Sequence, residues 1–351
     1  MKLARRETSG KYGLVLILLS AFLVLNFYLS FYIGRYTSIA FPDVFKILIN
    51  STGIEFFAPT WSDTAAVVMM KLRFPRVIAA MLVGAALPMA GAAYQALFAN
   101  PMASPDTLGV TNGSSVGAVI GILLGFSSFF IELSAFAVGV VSVLIVYIIA
   151  MVLSKGRNMT MYLVLVGMVV SSLLSAILSI LKYLCDPDNQ LPAITYWLMG
   201  SFNSVDMLDV KVYCLFFLAG AIPLFMLRWR MNLLSLSDFE AKSLGENTVV
   251  LRTVTILCAT LLTAASVAIT GGIGWVGLII PHMARIIVGH DFRKVLPVSA
   301  LLGASFLLIM DNIARSALAT ELPIGTLTSI IGAPIFFFIL IKFRRNMLRD
   351  S

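Results

Sequence analysis

Long apolar stretches recur along almost the whole chain, and they constrain its fold more than any other feature of the sequence. Crossing a bilayer takes about 20 apolar residues, and a helix satisfies its own backbone polar groups there. Of the 351 residues, 60% are hydrophobic and 12% are charged, whereas soluble domains carry about 25% charged residues. The sequence therefore predicts an all-α polytopic membrane protein, with residues 1–351 forming a single transmembrane domain.

About ten transmembrane helices are predicted from these stretches. The leader MKLARRETSGK precedes an apolar stretch that is too long for a signal-peptide core, so we interpret the first span as a retained anchor. The predicted spans are 13–33, 77–97, 108–126, 130–153, 161–182, 208–227, 249–270, 274–289, 297–317 and 323–341.

The distribution of basic residues predicts the orientation of the chain. An even number of spans returns both termini to one side, and roughly two thirds of the Lys and Arg residues fall on that side. By the positive-inside rule, residues 1–12, 228–247 and 342–351 are expected to be cytoplasmic. The expected location is the bacterial cytoplasmic membrane.

The net charge of +8 does not indicate a nucleic-acid partner, because the basic residues are dispersed at span ends. The cysteines Cys185, Cys214 and Cys258 lack metal-site spacing, and we interpret them as packing residues. We expect no resident metal, no cofactor and no nucleic acid.

Three cations stand close together where the second predicted span begins. They are Lys71, Arg73 and Arg76 of KLRFPR, and the predicted topology places them outside. Two explanations remain open at this point: snorkelling to lipid headgroups, or a docking site for an acidic partner.

Glycines recur at every fourth position of the third predicted span. Four residues are about 400° of helical rotation, so these glycines form one slowly drifting stripe. Small residues at this spacing let helices approach closely in lipid. We predict a helix-packing surface made of Gly109, Gly113, Gly117, Gly121 and Gly125.

The same span contains GSSVG, residues 113–117, which matches the nucleophile elbow G-x-S-x-G. That elbow requires a strand-to-helix turn and a histidine partner, but His282 and His290 lie far away in the sequence. The motifs H-E-x-x-H and G-x-x-x-x-G-K-[ST] do not occur. An intramembrane enzyme is therefore a disfavoured alternative.

A charged connection, residues 228–247, carries the signals of a short surface helix. Ser237 and Glu240 form a capping box, and Gly245 supplies a left-handed stop. These signals predict a helix over about 238–244, which is either part of an ordinary ordered loop or an element that fits a cleft in a partner.

Asp311 and Arg315 stand four residues apart in the ninth predicted span, acid first, which is the favourable order for an ion pair. We expect this pair in the outer third of the membrane, with Arg315 snorkelling outward. Asp311 is interpreted as the only carboxylate well inside a span, which disfavours an ion-gradient-driven secondary transporter, the alternative of another class.

Three blocks of the sequence together resemble the permease subunit of bacterial ABC importers for iron-siderophores, haem and cobalamin. They are LRFPRVIAAMLVGAALPMAGAAYQALFANPMASPDTLGVTNGSSVGA, then NLLSLSDFEAKSLG, then GGIGWVGLIIPHMARIIVGHDFRKVLP with its continuation to residue 342. The resemblance implies the type II importer fold and transport by alternating access. It also implies that ATP is bound by separate subunits, so this chain is not expected to be an enzyme.

The resemblance further implies partners and roles for individual residues. The expected partners are a second permease subunit, two ATP-binding subunits on the cytoplasmic face and an extracytoplasmic substrate-binding protein. An iron-siderophore is the first choice of substrate, with haem and cobalamin as alternatives. The implied binding-protein docking residues are Arg73, Arg76 and Arg315; the ATPase-coupling residues are Ser237, Asp238, Phe239, Glu240, Ala241, Leu244 and Gly245; the translocation-gate residues are Asn100, Met102 and Thr160.

Overall fold

The computed structural model is a bundle of helices, and the part of the chain that it describes contains no strand. It describes residues 2–34, 40–51, 56–155, 158–236 and 238–347, with side chains for all of these except 2–10, 238, 239, 242, 340 and 342–347. The α-helices are α1 (Lys2–Tyr32), α2 (Phe41–Asn50), α3 (Asp63–Val67), α4 (Phe74–Leu97), α5 (Val110–Leu123), α6 (Ser128–Ser154), α7 (Met159–Leu184), α8 (Gln190–Met199), α9 (Met207–Leu227), α10 (Asp238–Ser243), α11 (Thr248–Thr270), α12 (Val276–Val288), α13 (Phe292–Ser316) and α14 (Ile324–Met347).

Each of the ten predicted spans coincides with one of these helices. Seven are long and apolar enough to cross a membrane by length and composition, and three are shorter: α5, α12 and the apolar part of α14. At 1.5 Å per residue, a 13-residue helix such as α12 reaches about 20 Å, against the roughly 30 Å of a hydrocarbon core. The predicted spans 108–126 and 274–289 are too long, because α5 and α12 begin later and end earlier than predicted.

The two ends of the bundle differ in the elements that they contain. The arginine end contains Arg73, Arg76 and Arg315, and the loop end contains the connection 228–247. The helices α4 and α11 form the centre of the bundle, since 78% of the apolar window of each is buried, whereas only 11% of that of α7 is. The helices α4 and α11 are thus surrounded by other helices, and α7 lies at the periphery.

Three short helices near the arginine end were not predicted: α2, α3 and α8. The start of α2 carries helix signals nevertheless, with a proline in its first turn and Asp43 close to the helix N-terminus. In α3, Ser62 caps the helix by accepting from the Ala65 amide at 3.2 Å. These helices escaped a search for spans because each has ten residues or fewer.

The glycine stripe packs α5 against α6 over part of its predicted length. A Cβ atom at Gly113, Gly117 or Gly121 would meet atoms of α6 within 3.0 Å. Gly109 instead precedes α5 with a φ of 78° and lies against Ser171 of α7. Gly125 does not belong to the packing surface as predicted, because it follows the helix with a φ of 70° and nothing lies within 4 Å of its Cβ position.

Candidate functional site

The arginine end begins with a π-helical turn, Val68–Arg73, that runs into α4. Such turns often occur at functional sites. The Arg73 side chain crosses to α1, where its Nη1 donates to the carbonyl oxygen of Phe31 at 2.6 Å. Gly34 leaves room for this guanidinium, since a Cβ there would lie 2.9 Å from it. Arg73 thus satisfies one of the last carbonyls of α1, which have no partner within the helix.

Arg76 holds two carboxylates in one buried cluster. Its Nε donates to Asp311 Oδ1 at 2.8 Å, and its Nη1 donates to Glu321 at 2.9 and 3.0 Å. The Asp311 side chain is fully buried, whereas that of Glu321 remains 19% exposed. Asp311 therefore finds its main partner on another helix, more than 200 residues away in sequence.

Arg315 does not snorkel outward as predicted, since it is only 5% exposed. Its Nε lies 3.6 Å from Asp311 Oδ2, which is the expected pair along α13 but a loose one. Its Nη2 donates to the carbonyl oxygen of Ser30 and to the side-chain oxygen of Asn312. The end of α1 draws Arg315 inward because its terminal carbonyls need donors.

The structure therefore brings the three implied docking arginines together but turns each toward the protein. Arg73, Arg76 and Arg315 are 4%, 8% and 5% exposed, respectively, whereas Lys71 in the same motif is exposed. Arg76 is the arginine whose partner, Glu321, is itself partly accessible. A docking role for the three arginines stays a prediction.

At the loop end, α10 lies where a helix over 238–244 was predicted, and Gly245 follows it with a φ of 81°. The predicted cap residue Ser237 lies outside the described residues, and so do the side chains of Asp238 and Phe239. Glu240 is exposed, Ala241 is buried at 1% exposure, and Leu244 is 66% exposed. The helix prediction is confirmed, whereas the coupling role stays a prediction.

The connection that carries α10 is hydrogen-bonded to the turn between α12 and α13. The sequence analysis did not predict this contact. Asn232 donates to Asp291 at 3.1 Å and accepts from the Phe292 amide at 3.0 Å. Burial raises the pKa of Asp291, but hydrogen bonds from Arg293 and Asn232 outweigh this effect and leave that pKa below its ordinary value. The carboxylate thus stays ionised as an acceptor, and these bonds attach the connection to the turn before α13.

The implied gate residues lie near the loop end on two separate elements. Asn100 and Met102 stand in the turn after α4, where the Asn100 side-chain oxygen accepts from the Met102 amide at 2.9 Å. Met102 is 47% exposed. Thr160 is half-buried in the first turn of α7. A gate formed by these residues stays a prediction.

A polar site that the sequence did not reveal lies at mid-depth, where α5 begins. Gly109 lies against Ser142 and Ser171, which are near the middles of α6 and α7. The amide of Gly109 donates to the carbonyl oxygen of Asp106 at 2.9 Å. Asp106, in the connection between α4 and α5, is therefore within one turn of the middle of the bundle. A carboxylate thus lies at mid-depth outside the predicted spans, where a search of the spans did not find it.

α12 begins at the same depth and runs toward the loop end. A Cβ at Gly277 would lie 3.0 Å from the carbonyl oxygen of Leu87, near the middle of α4, and 2.8 Å from the ring of Pro105. Residues 98–109 and 271–275 thus bring irregular backbone to mid-depth. Such backbone is tolerated in a membrane where it is buried in protein or lines a water-filled cavity.

Two cavities open between these irregular segments, and Asp106 and Thr111 line both of them. One has a volume of about 230 Å³ and the other of about 350 Å³. The other polar or aromatic side chains of the smaller cavity are Ser104, Thr263 and Trp275, and those of the larger are Thr326 and Ser329. Broken helices that meet around a mid-membrane cavity are typical of transport proteins.

The fold and this cavity define a polytopic membrane transport protein, and comparisons with known proteins agree. A sequence profile of the FecCD transport family matches residues 22–342. The chain is 38% identical to the molybdate import system permease protein MolB of Haemophilus influenzae, over 97% of this chain and 98% of that one. It is 39% identical to a probable iron chelatin transport system permease protein of Helicobacter pylori, over 80% and 85%.

A solved structure described as an inward-facing metal-chelate type ABC transporter matches 93% of this chain and 99% of its own, with a TM-score of 0.82 and 36% identity. The chain belongs to the FecCD transport family. It has the fold of a type II ABC importer permease, so the predicted fold class and family are confirmed.

Proposed function

We propose that the chain is the membrane-spanning subunit of an ATP-driven importer, and that it moves its substrate by alternating access through the mid-membrane cavity. The observation that carries this proposal is the cavity itself, where Asp106 lies at mid-depth between two helices too short to span. A carboxylate in contact with lipid is too costly. The surface that carries Asp106 therefore faces water or a protein partner. In this arrangement the arginine end faces outward, and the loop end and both termini are cytoplasmic.

The substrate we propose first is an iron-siderophore chelate. Relatives of the chain include permeases named for iron chelatin, molybdate and cobalamin systems, and haem or cobalamin remain the alternatives within the family resemblance. The chain would contribute no bond chemistry, and ATP would be bound by two partner subunits at the loop end. A second permease subunit would close the cavity from its open side.

The importer is tested by purifying the protein from native membranes and identifying the chains that copurify. We expect a nucleotide-binding subunit to copurify. We expect Leu244→Glu to abolish its binding, because this substitution replaces the exposed apolar side chain after α10 with a charged one. Leu318→Glu is the matched control, since Leu318 is a 54% exposed leucine at the arginine end. Recovery of the protein without an ATPase subunit would contradict the importer, and equal recovery with both variants would contradict coupling through α10.

We also propose that the arginine end docks an acidic binding protein through Arg73, Arg76 and Arg315. An acidic residue of the partner would replace Glu321 on Arg76, because Glu321 is the partly exposed member of that pair of carboxylates. Glu321→Gln is therefore expected to tighten binding of the copurified binding protein several-fold, measured by surface plasmon resonance. Asp63→Asn, an exposed acid in α3, is the control. Unchanged affinity for Glu321→Gln would contradict docking at Arg76 and leave the importer intact.

A further inference from the structure

The two mid-membrane cavities have one feature that the importer fold alone does not require, namely their charge. Asp106 is the one ionisable side chain among the residues that line them in the described part of the chain. It is exposed to the cavity space although it lies deep in the bundle. Its carboxylate accepts a hydrogen bond from the Thr111 hydroxyl, and no basic residue of the described lining neutralises it.

Three of the five hydroxyl groups in the described lining add acceptors rather than donors. Thr111 gives its proton to Asp106, Thr263 donates to the Ala259 carbonyl oxygen at 2.8 Å, and Ser329 donates to the Gly325 carbonyl oxygen at 2.7 Å. A hydroxyl has one proton and two lone pairs. With these protons engaged, each of the three oxygens offers lone pairs to the cavity.

Three helix N-termini lie at this region, those of α5, α12 and α14, and they would otherwise favour an anion. At α12 the first amides are already bonded within the turn, since Val276 donates to Gly274 at 2.8 Å and Leu278 to Trp275 at 3.0 Å. At α5 the carboxylate of Asp106 stands just before the helix and offsets its positive end. At α14, Ile324 donates to the Gly200 carbonyl oxygen at 2.9 Å and Leu327 to the Pro323 carbonyl oxygen at 3.1 Å. Asp106 is left as the one formal charge of the described lining.

We propose that Asp106 makes this cavity select solutes by charge, admitting cationic or neutral chelates that carry N–H and O–H donors and disfavouring oxyanions. The inference rests on the proposed importer function and narrows its substrate class. A second copy of the chain facing the same cavity would double the carboxylate charge.

The test uses a cysteine sensor in native membranes and needs neither the ATPase subunit nor the binding protein. Cys185, Cys214 and Cys258 are replaced by alanine, and Thr326→Cys puts a thiol on the exposed lining of the larger cavity. Cationic and anionic methanethiosulfonate reagents are applied to permeabilised membranes. The rate at which each reagent modifies the thiol is measured by tagging the unreacted thiol with a reagent of known mass. The ratio of the two rates reports the local potential, because both reagents attack the same thiolate.

We expect the cationic reagent to react about tenfold faster than its intrinsic preference predicts, and Asp106→Asn to remove most of this excess. Asp106→Glu keeps the charge and is expected to keep the ratio, which separates charge from any packing effect. Ser51→Cys, at an exposed position of the arginine end, is the control whose ratio Asp106→Asn leaves unchanged.

Two results would overturn the proposal. A Thr326→Cys thiol that reacts with neither reagent would show that the cavity is not aqueous. A ratio that is the same with Asp106 and Asp106→Asn would show that this carboxylate does not set the potential. Neither result bears on copurification of an ATPase subunit, so failure of this inference and failure of the importer proposal are distinguishable.

Discussion

Asp311→Ala is expected to lower the free energy of unfolding by about 3–5 kcal/mol, because it removes one partner from a buried ion cluster. Asp311 is fully buried between Arg76, at 2.8 Å, and Arg315, at 3.6 Å. Without its carboxylate, Arg76 keeps Glu321, while Arg315 keeps neutral acceptors at Ser30 and Asn312. Two guanidinium groups then face each other in a site from which water is largely excluded.

The measurement is denaturant-induced or thermal unfolding of the detergent-solubilised protein, followed by tryptophan fluorescence. Glu321→Gln is the control, and we expect a cost of about 1 kcal/mol or less, since that side chain is partly exposed and solvent screens its charge. Adding Arg76→Met to Asp311→Ala should recover part of the loss, because removing both partners of a buried pair costs less than removing one. Wild-type stability of Asp311→Ala would contradict the cluster as described.

The helices were predictable because apolar length is a local property of the sequence. The ten spans were placed from it, and α10 was placed from its capping and stop signals. The depth at which α5 begins was not predictable, since LGVTNGSSVGAVIGILLGF contains no charged residue and nothing in it marks the middle of the bilayer. Only the contacts of Gly109 with α6 and α7 show that the helix starts at mid-depth.

The partners of Asp311 in the ion cluster were also only partly predictable from the sequence. Spacing along one helix predicted the pair of Asp311 with Arg315, and the two are near each other as expected. The shorter contact is with Arg76, which lies on α4, and spacing rules carry no information about such distant partners. The inward turn of Arg73 and Arg315 likewise depends on where α1 ends, which is a property of the packed bundle.

Gly91→Val is expected to lower the free energy of unfolding by about 3 kcal/mol, at the upper end of the usual cost of overpacking. The reason is that α4 and α12 meet backbone to backbone, with the Cβ position of Gly91 overlapping the carbonyl group of Gly277. No rotamer relieves a clash with backbone, so α12 must move away from α4. Because α12 starts at the mid-membrane cavity, this shift should also change the reactivity of the Thr326→Cys sensor.

Gly13→Val is the matched control for the helix-propensity cost, since Gly13 is a helical glycine with nothing within 4 Å of its Cβ position. Valine replaces glycine in a helix at both sites, so propensity changes by the same amount and the difference between the two variants reports the α4–α12 contact. Thermal unfolding and sensor labelling are measured on the same preparations. Equal stabilities of the two variants would mean that α12 does not rest on Gly91, and the depth assigned to the start of α12 would then be wrong as well.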